Sequence, residues 1–421
     1  MGSGFLDFRI ILGQWKADAS SLLSGTYLVD VISEAGEPST PAEVRLEWDN
    51  VRPLLAAFKG KRLSPTENTA LRKLLRSLLL PTPEILDALV QAEVIAQKES
   101  KIVRIRLDVL DSFLASIPWE LAEIKGELLA GYHPGYSFVR HARSLSSLKR
   151  DFQRTSLRML FAASDNLNGL DFLDAAEHIE QLKTSIVNFA EAADVDVHIE
   201  TLPDTTTVEF LATLEHEWDI VQFVGHGEIG NEYPSLILNG NKSSNEPERL
   251  GIRDLASKLL SAEVSIVNLL SCHSGQSIST PSRTSHGIAG YLARLGVPAI
   301  VSMQDKIQLD SAYKFNLAFY RQLIRGVDVE KAMILSRLAI LELGLNTEWA
   351  VPILHLHNMQ GSMTLTKNLD SAARLQAKFR DVSAQNTATF VDLVNLLGNE
   401  VSIEVDTLSL RDGSTGVRFG R

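Results

Sequence analysis

From Leu157 to about Arg325 the chain alternates short apolar runs, each bounded by turn residues, with amphipathic stretches of helical period. The runs LRMLFAA (Leu157 to Ala163), VDVHIETL (Val195 to Leu202), DIVQFVG (Asp219 to Gly225), VSIVNLLS (Val264 to Ser271) and VPAIVSM (Val297 to Met303) read as strands. Between and after them, residues 174–191, 207–217, 251–260, 287–295 and 310–325 read as helices. This pattern leaves few options, because parallel neighbours need crossover connections, and helices supply them while covering both faces of the sheet. The expected fold is α/β, with a mostly parallel central sheet flanked by helices. In such sheets, functional groups gather on loops beyond the carboxyl ends of the strands.

The rest of the chain divides around this core. Residues 1–148 hold strand-like FLDFRIIL (Phe5 to Leu12), TYLVDVI (Thr26 to Ile32) and KIVRIRLDVL (Lys101 to Leu110), with helical stretches at 68–80 and 83–100. They form a mixed α/β region expected to pack on the domain at 149–362. Residues 363–421 form a small extension with a polar helix through Arg380, an apolar segment at 390–397 and a strand at 401–408. That extension is either an adaptor for a partner or ordinary packing.

Composition narrows the class of function. With 45% hydrophobic and 22% charged residues among 421, the chain is expected to fold. A formal charge of −11 has the wrong sign for direct binding to nucleic-acid phosphates. No apolar run approaches a membrane span, and residues 1–5 show no leader pattern. One cysteine, Cys272, allows neither an intrachain disulfide nor a thiolate zinc cluster, so a cytoplasmic location is expected.

Two strand ends carry reactive chemistry. DIVQFV is followed by Gly225, His226 and Gly227, and VSIVNLL by Ser271, Cys272, His273, Ser274 and Gly275. A thiol is mostly protonated at neutral pH, so a neighbouring imidazole can take its proton and later deliver it to a leaving amine. Small residues beside both groups leave room for a peptide, and the backbone N–H groups of Gly227 and Cys272 are candidates for an oxyanion hole. The alternative for each taken singly is structural: a turn-capping histidine, or a buried cysteine acting as a small hydrophobe.

Taken together, VQFVGHGEIG and LLSCHSGQS resemble the CHAT family of caspase-like cysteine proteases, relatives of caspases and separase. The order His then Cys and the separation of 46 positions fit that likeness. The resemblance extends through GIAGYLARLGVPAIVSMQ (287–304), AYKFNLAFYRQLIRG (312–326), KAMILSR (331–337) and EWAVPILH (348–355), and upstream to residues 117–121 and 137–142. It implies His226 as general base then acid, Cys272 as nucleophile and no cofactor. It also implies a specific protein substrate and a separate activator or sensor protein, as in bacterial defence or cell-death systems. Gln222 stands where the family commonly has histidine, and Asp305 where tryptophan often follows Met-Gln. Asp305 and Asp310 fall where separase-like relatives hold an acidic group for a basic substrate side chain, although helix capping or a surface position would also explain them. Arg249 and Arg283, in segments read as polar loops, are candidate self-processing points.

Competing readings are weaker. Gly225, Gly227 and Gly230 spell a dinucleotide fingerprint, but Pro234 prevents a helix from opening at once. His273 and His286 lack a third metal ligand. A silent caspase-like scaffold need keep neither His226 nor Cys272, and a thiol hydrolase of small acyl substrates does not account for the shared blocks. Trp119, after Pro118, reads as a core anchor joining the front region to the sheet.

Overall fold

The structure, a computed structural model, describes residues 4–18, 21–36, 40–124, 127–128, 130, 135–142, 156–165, 167, 169–170, 173–229, 233–241, 245–271, 287–344, 347–357, 382–383 and 408–409. The front region contains β1 (Phe5–Leu12), β2 (Lys16–Asp18), β3 (Ser21–Ser33), β4 (Ala42–Glu47), α1 (Trp48–Lys59), α2 (Pro65–Leu79) and α3 (Pro83–Lys98). It continues with β5 (Ile102–Val109), α4 (Ser112–Ala115), β6 (Glu123–Ile124), β7 (Glu127–Leu128) and β8 (Tyr136–Ala142). Next come β9 (Ser156–Ser164), α5 (Ala175–Ala192), β10 (Asp196–Leu202), α6 (Thr207–Thr213), β11 (Ile220–Ile229), β12 (Pro234–Asn241) and β13 (Glu246–Gly251). Then follow α7 (Ile252–Ser261), β14 (Ile266–Ser271), α8 (Ile288–Leu295), β15 (Ala299–Met303), α9 (Leu309–Ile324), α10 (Val329–Leu341) and β16 (Pro352–His357).

The expected mixed α/β architecture is present, and most of the described strands form one large sheet in the order β10-β9-β11-β14-β15-β16-β8-β5-β1-β3-β2, with β12 and β13 attached beside β11 and β4 beside β3, while β6 and β7 pair separately. Pairing is parallel from β10 to β15 and from β16 to β1, and antiparallel between β15 and β16 and between β1 and β3. Because β16 pairs with β8, strands from both sides of residue 148 belong to a single sheet. Residues 1–366 form one compact unit. In the second unit, 367–421, the strands β17 (Val382–Ser383) and β18 (Leu408–Ser409) pair in parallel. The helix expected through Arg380 and the apolar segment 390–397 lie outside the described residues.

Two apolar layers follow from the period of two along each strand. Ile220, Val224, Ile266 and Leu270 share one core with α5, α9 and α10, whereas Val221, Phe223, Val267 and Leu269 share another with α6, α7 and α8. Burial on both faces explains why these strands read as nearly continuous apolar runs. In the front region, α1, α2 and α3 cover the β1 and β3 face that carries Phe8, Ile10, Tyr27 and Val29. Trp119 is fully buried and donates its indole N–H to the Leu114 carbonyl at 2.8 Å.

Two segments differ from their sequence reading. The stretch 241–250, expected as a loop, contains β13, which pairs antiparallel with β12. Leu250 enters the core opposite Leu236 while Glu246 to Arg249 stay exposed, so a single inward side chain was too little pattern to mark a strand. Strand β11 also continues four residues past Gly225, because β12 folds back and supplies a new partner where β14 ends.

Candidate active site at the strand ends

The register of β11 and β14 builds the site. Parallel pairing runs from Ile220 opposite Ile266 to Gly225 opposite Ser271, with Gly225 also opposite Ser164 of β9. Beyond that level β11 pairs with β12 instead, placing His226 opposite Ile237 and Gly227 opposite Leu236. His226 therefore lies inside a strand, at the point where its partner changes, rather than in a loop. Glycine is required at 225, since a Cβ there would lie 2.7 Å from the Ser164 carbonyl oxygen and 2.8 Å from the Phe223 ring. Cys272 follows Ser271 in sequence and lies outside the described residues, as do His273, Arg283 and His286.

A cavity of about 260 Å³ opens at this level. Val224, Gly225, Leu270, Ser271 and Met303 form its floor from three strand ends. Its other lining residues include Asp305, Ile307, Leu309 and Ala312, around the start of α9, and Leu173 and His178, at the start of α5. Asp165, just past β9, holds α5 in place by accepting the backbone N–H groups of Leu173 at 2.6 Å and Ala175 at 2.9 Å.

The two acidic candidates separate. Asp305 is buried in the cavity wall, and its Oδ1 accepts the Lys306 backbone N–H at 2.8 Å. The residue that caps α9 is Gln308, so Asp305 is not the helix cap. Asp310 sits exposed in the first turn of α9, where a carboxylate faces the positive end of the helix dipole, and it is not among the cavity-lining residues. Arg249 projects from β13 into solvent and pairs with Glu228 at 2.7 Å.

Beneath the cavity lies a buried polar cluster. Gln222 and Asn268 are opposite each other in β11 and β14. Asn268 Nδ2 donates to Asn316 Oδ1 at 2.9 Å and to the Tyr320 hydroxyl at 3.0 Å, and Tyr320 in turn donates to Gln222 Oε1. Asn316 Nδ2 reaches His178 Nε2 at 3.3 Å. Burial pushes the His178 imidazole down to about 4 and raises the Tyr320 phenol. The cluster pins two strands and two helices at the cavity floor. The sequence signal for it was present: Gln222 and Asn268 are the polar interruptions of two otherwise apolar runs. His178 and Asn316 carried no such mark, lying on helices where polar residues are ordinary.

Among the described residues no group of three His, Cys, Asp or Glu side chains is arranged to hold a metal, and no helix is long and apolar enough to cross a membrane. The model of the CHAT domain matches residues 70–355. The chain belongs to the CHAT domain family. This match begins inside α2 and takes in α3, β5 and β8 as well as β9 to β16, in keeping with the single sheet that joins those strands, whereas β1 to β4 and α1 lie outside it.

No curated protein matches the chain. Among solved structures it is similar to the Arg-specific cysteine proteinase gingipain R, with 10% identity over 70% of each chain and a TM-score of 0.41. It is also similar to a complex of the pro- and mature domains of Porphyromonas gingivalis RgpB, with 10% identity, 68% and 71% of the two chains and a TM-score of 0.41. A further similarity is to the Saccharomyces cerevisiae separase–securin complex, with 11% identity, 84% of this chain and a TM-score of 0.46. The match spans 30% of that last chain.

Proposed function

We propose that this CHAT-domain protein is a cysteine endopeptidase that cleaves a specific protein substrate. The observation that carries the reading is the register of Gly225 opposite Ser271, which brings the residues preceding His226 and Cys272 to one level of the sheet, beside a cavity. His226 takes the thiol proton, and the Cys272 sulfur attacks the carbonyl carbon of the scissile peptide bond. The backbone N–H groups of Gly227 and Cys272 receive the oxyanion. The tetrahedral intermediate collapses as His226 protonates the leaving amine. His226 then removes a proton from water, which attacks the thioester carbon and frees the acid product and the thiol.

Asp305, in the cavity wall, supports a weak preference for a basic residue before the cut. Activation by a separate sensor protein and a cytoplasmic setting in a bacterial defence or cell-death system belong to the same proposal. So does self-processing at Arg249 or Arg283. Arg249 sits opposite Ile237 in a β-ladder, so cleavage there requires β13 to leave β12.

The test is digestion of a diverse peptide pool by wild type, Cys272→Ala and His226→Ala, read by mass spectrometry, with cell lysate as a source of activator. Cleavage by wild type that disappears in both variants is the expected result. Cleavage that survives Cys272→Ala would overturn the proposal, as would a folded wild type that cuts nothing under any condition.

A further inference from the structure

Tyr233, Arg253 and Tyr291 form a cluster on the α7 and α8 face of the sheet, opposite the face where α5, α9 and the cavity lie. The β-ladders assemble it. Pro234 pairs with Ile229, so Tyr233 sits at the end of the hairpin in which His226 is opposite Ile237. Ser235 also pairs with Gly251, the residue before α7, and this brings Arg253 to Tyr233. Tyr291 comes from the first turn of α8. The Arg253 guanidinium lies 4.5 Å from the centroid of the Tyr233 ring. It donates from Nη2 to the Tyr233 hydroxyl at 2.7 Å and from Nε to the Tyr291 hydroxyl at 3.1 Å. The two rings meet edge to face, 5.8 Å apart.

We propose that Arg253, held by Tyr233 and Tyr291, is a specificity-determining site that binds an aspartate or glutamate side chain of the protein substrate about four residues from the cut bond. The inference rests on the endopeptidase reading and adds a recognition point outside the cavity. Arginine has five N–H donors, and these two bonds leave three of them on Arg253. Among the described residues Arg253 has no ion pair, and Glu228, on the same hairpin, is taken by Arg249. Phenols are neutral, so they fix the guanidinium without cancelling its charge, and a cation already fixed loses less freedom on binding. A carboxylate can accept from two guanidinium N–H groups at once, which a carboxamide or an ammonium cannot match. Tyr233 is 41% exposed and Arg253 is exposed, so ring and cation are both open to a passing chain. Four residues of β12 separate Tyr233 from Ile237, opposite His226, and at about 3.3 Å per residue they span about 13 Å. An extended substrate covers that distance in the same number of residues.

The test uses the full chain. Peptides that wild type cuts are remade with Glu, Gln or Lys at each position within about six residues of the cut, and kcat/KM is compared within each set. Glu is expected to exceed Gln about tenfold at a position about four residues from the cut. Arg253→Gln is expected to abolish that advantage, and Arg253→Glu to transfer it to Lys. Binding is read apart from cleavage by NMR of ¹⁵N-arginine-labelled Cys272→Ala, with the Arg253 Nε–H signal assigned by its loss in Arg253→Gln. That signal is expected to shift on titration with acetyl-Ala-Glu-Glu-Ala-amide and to stay in place with acetyl-Ala-Gln-Gln-Ala-amide. Equal rates for Glu and Gln at every position overturn the proposal, as does an Arg253 signal that the Glu peptide leaves unmoved. If no peptide is cut, the endopeptidase reading fails, while the NMR titration still judges whether Arg253 takes a carboxylate.

Discussion

Arg140 and Glu120 form an ion pair whose removal has a calculable consequence. Glu120 is fully buried and Arg140 is 5% exposed. Two guanidinium N–H groups reach the carboxylate at 2.8 Å each, and the same guanidinium donates to the carbonyls of Ala115 at 2.6 Å and Ile117 at 3.1 Å. Gln304, the neighbour of Asp305, completes the set by donating to Glu120 at 3.3 Å. Arg140→Met leaves the buried carboxylate with that single weak donor and the charge of the nearby Arg337 guanidinium, and frees two carbonyls, so the expected loss is about 3 kcal/mol. Glu120→Leu strands the cation and has a cost of the same order. The double variant removes both charges and fills the space with apolar side chains, and is expected to lose no more than about 2 kcal/mol. Urea unfolding of the four proteins, compared at equal slope, measures the cycle. A loss below about 1 kcal/mol for Arg140→Met, or a double variant as weak as the two singles added together, would refute the reasoning, because either result means the pair is solvated or uncoupled.

Two further perturbations address the site. Folding holds His178 down to about 4, below the ordinary 6.5 of the unfolded chain, so the stability it contributes is complete above pH 6.5 and is lost as pH falls towards 4. The loss is about 3 kcal/mol over that window. A His178→Phe variant is expected to lose correspondingly less stability between pH 7 and pH 4, and equal losses in both proteins by urea unfolding would contradict the burial argument. For Gly225→Ala, the added Cβ meets a backbone oxygen that cannot swing away, so a cost of about 1–3 kcal/mol and a displaced strand end are expected. Urea unfolding together with peptide cleavage checks this, and a variant with wild-type stability and activity would remove Gly225 from the account.

Much of the architecture was legible before any coordinates. Apolar runs of strand length, separated by helical periods, dictate a parallel sheet buried on both faces, and every strand read between Leu157 and Met303 is present within a few residues. The motifs around His226 and Cys272 stand out because small residues flank both, and at Gly225 the structure supplies a packing reason, since a Cβ there would meet the Ser164 carbonyl oxygen. Strand β13 was not legible, because an exposed edge strand has one inward residue and no apolar alternation to reveal it.

Tertiary structure alone decided which polar groups share one cavity. Asp305 and Asp310 are five residues apart and equally acidic, yet one lines the cavity and the other faces solvent, because the start of α9 turns the chain between them. His178 lies 94 positions before Cys272 in sequence, and reaches the cavity because Asp165 ties the start of α5 to the end of β9. Local sequence sets period, and therefore which face of a strand or helix is apolar. Which faces then meet depends on the order of strands in the sheet, and that order is fixed by the packing of the whole chain rather than by any one segment of it.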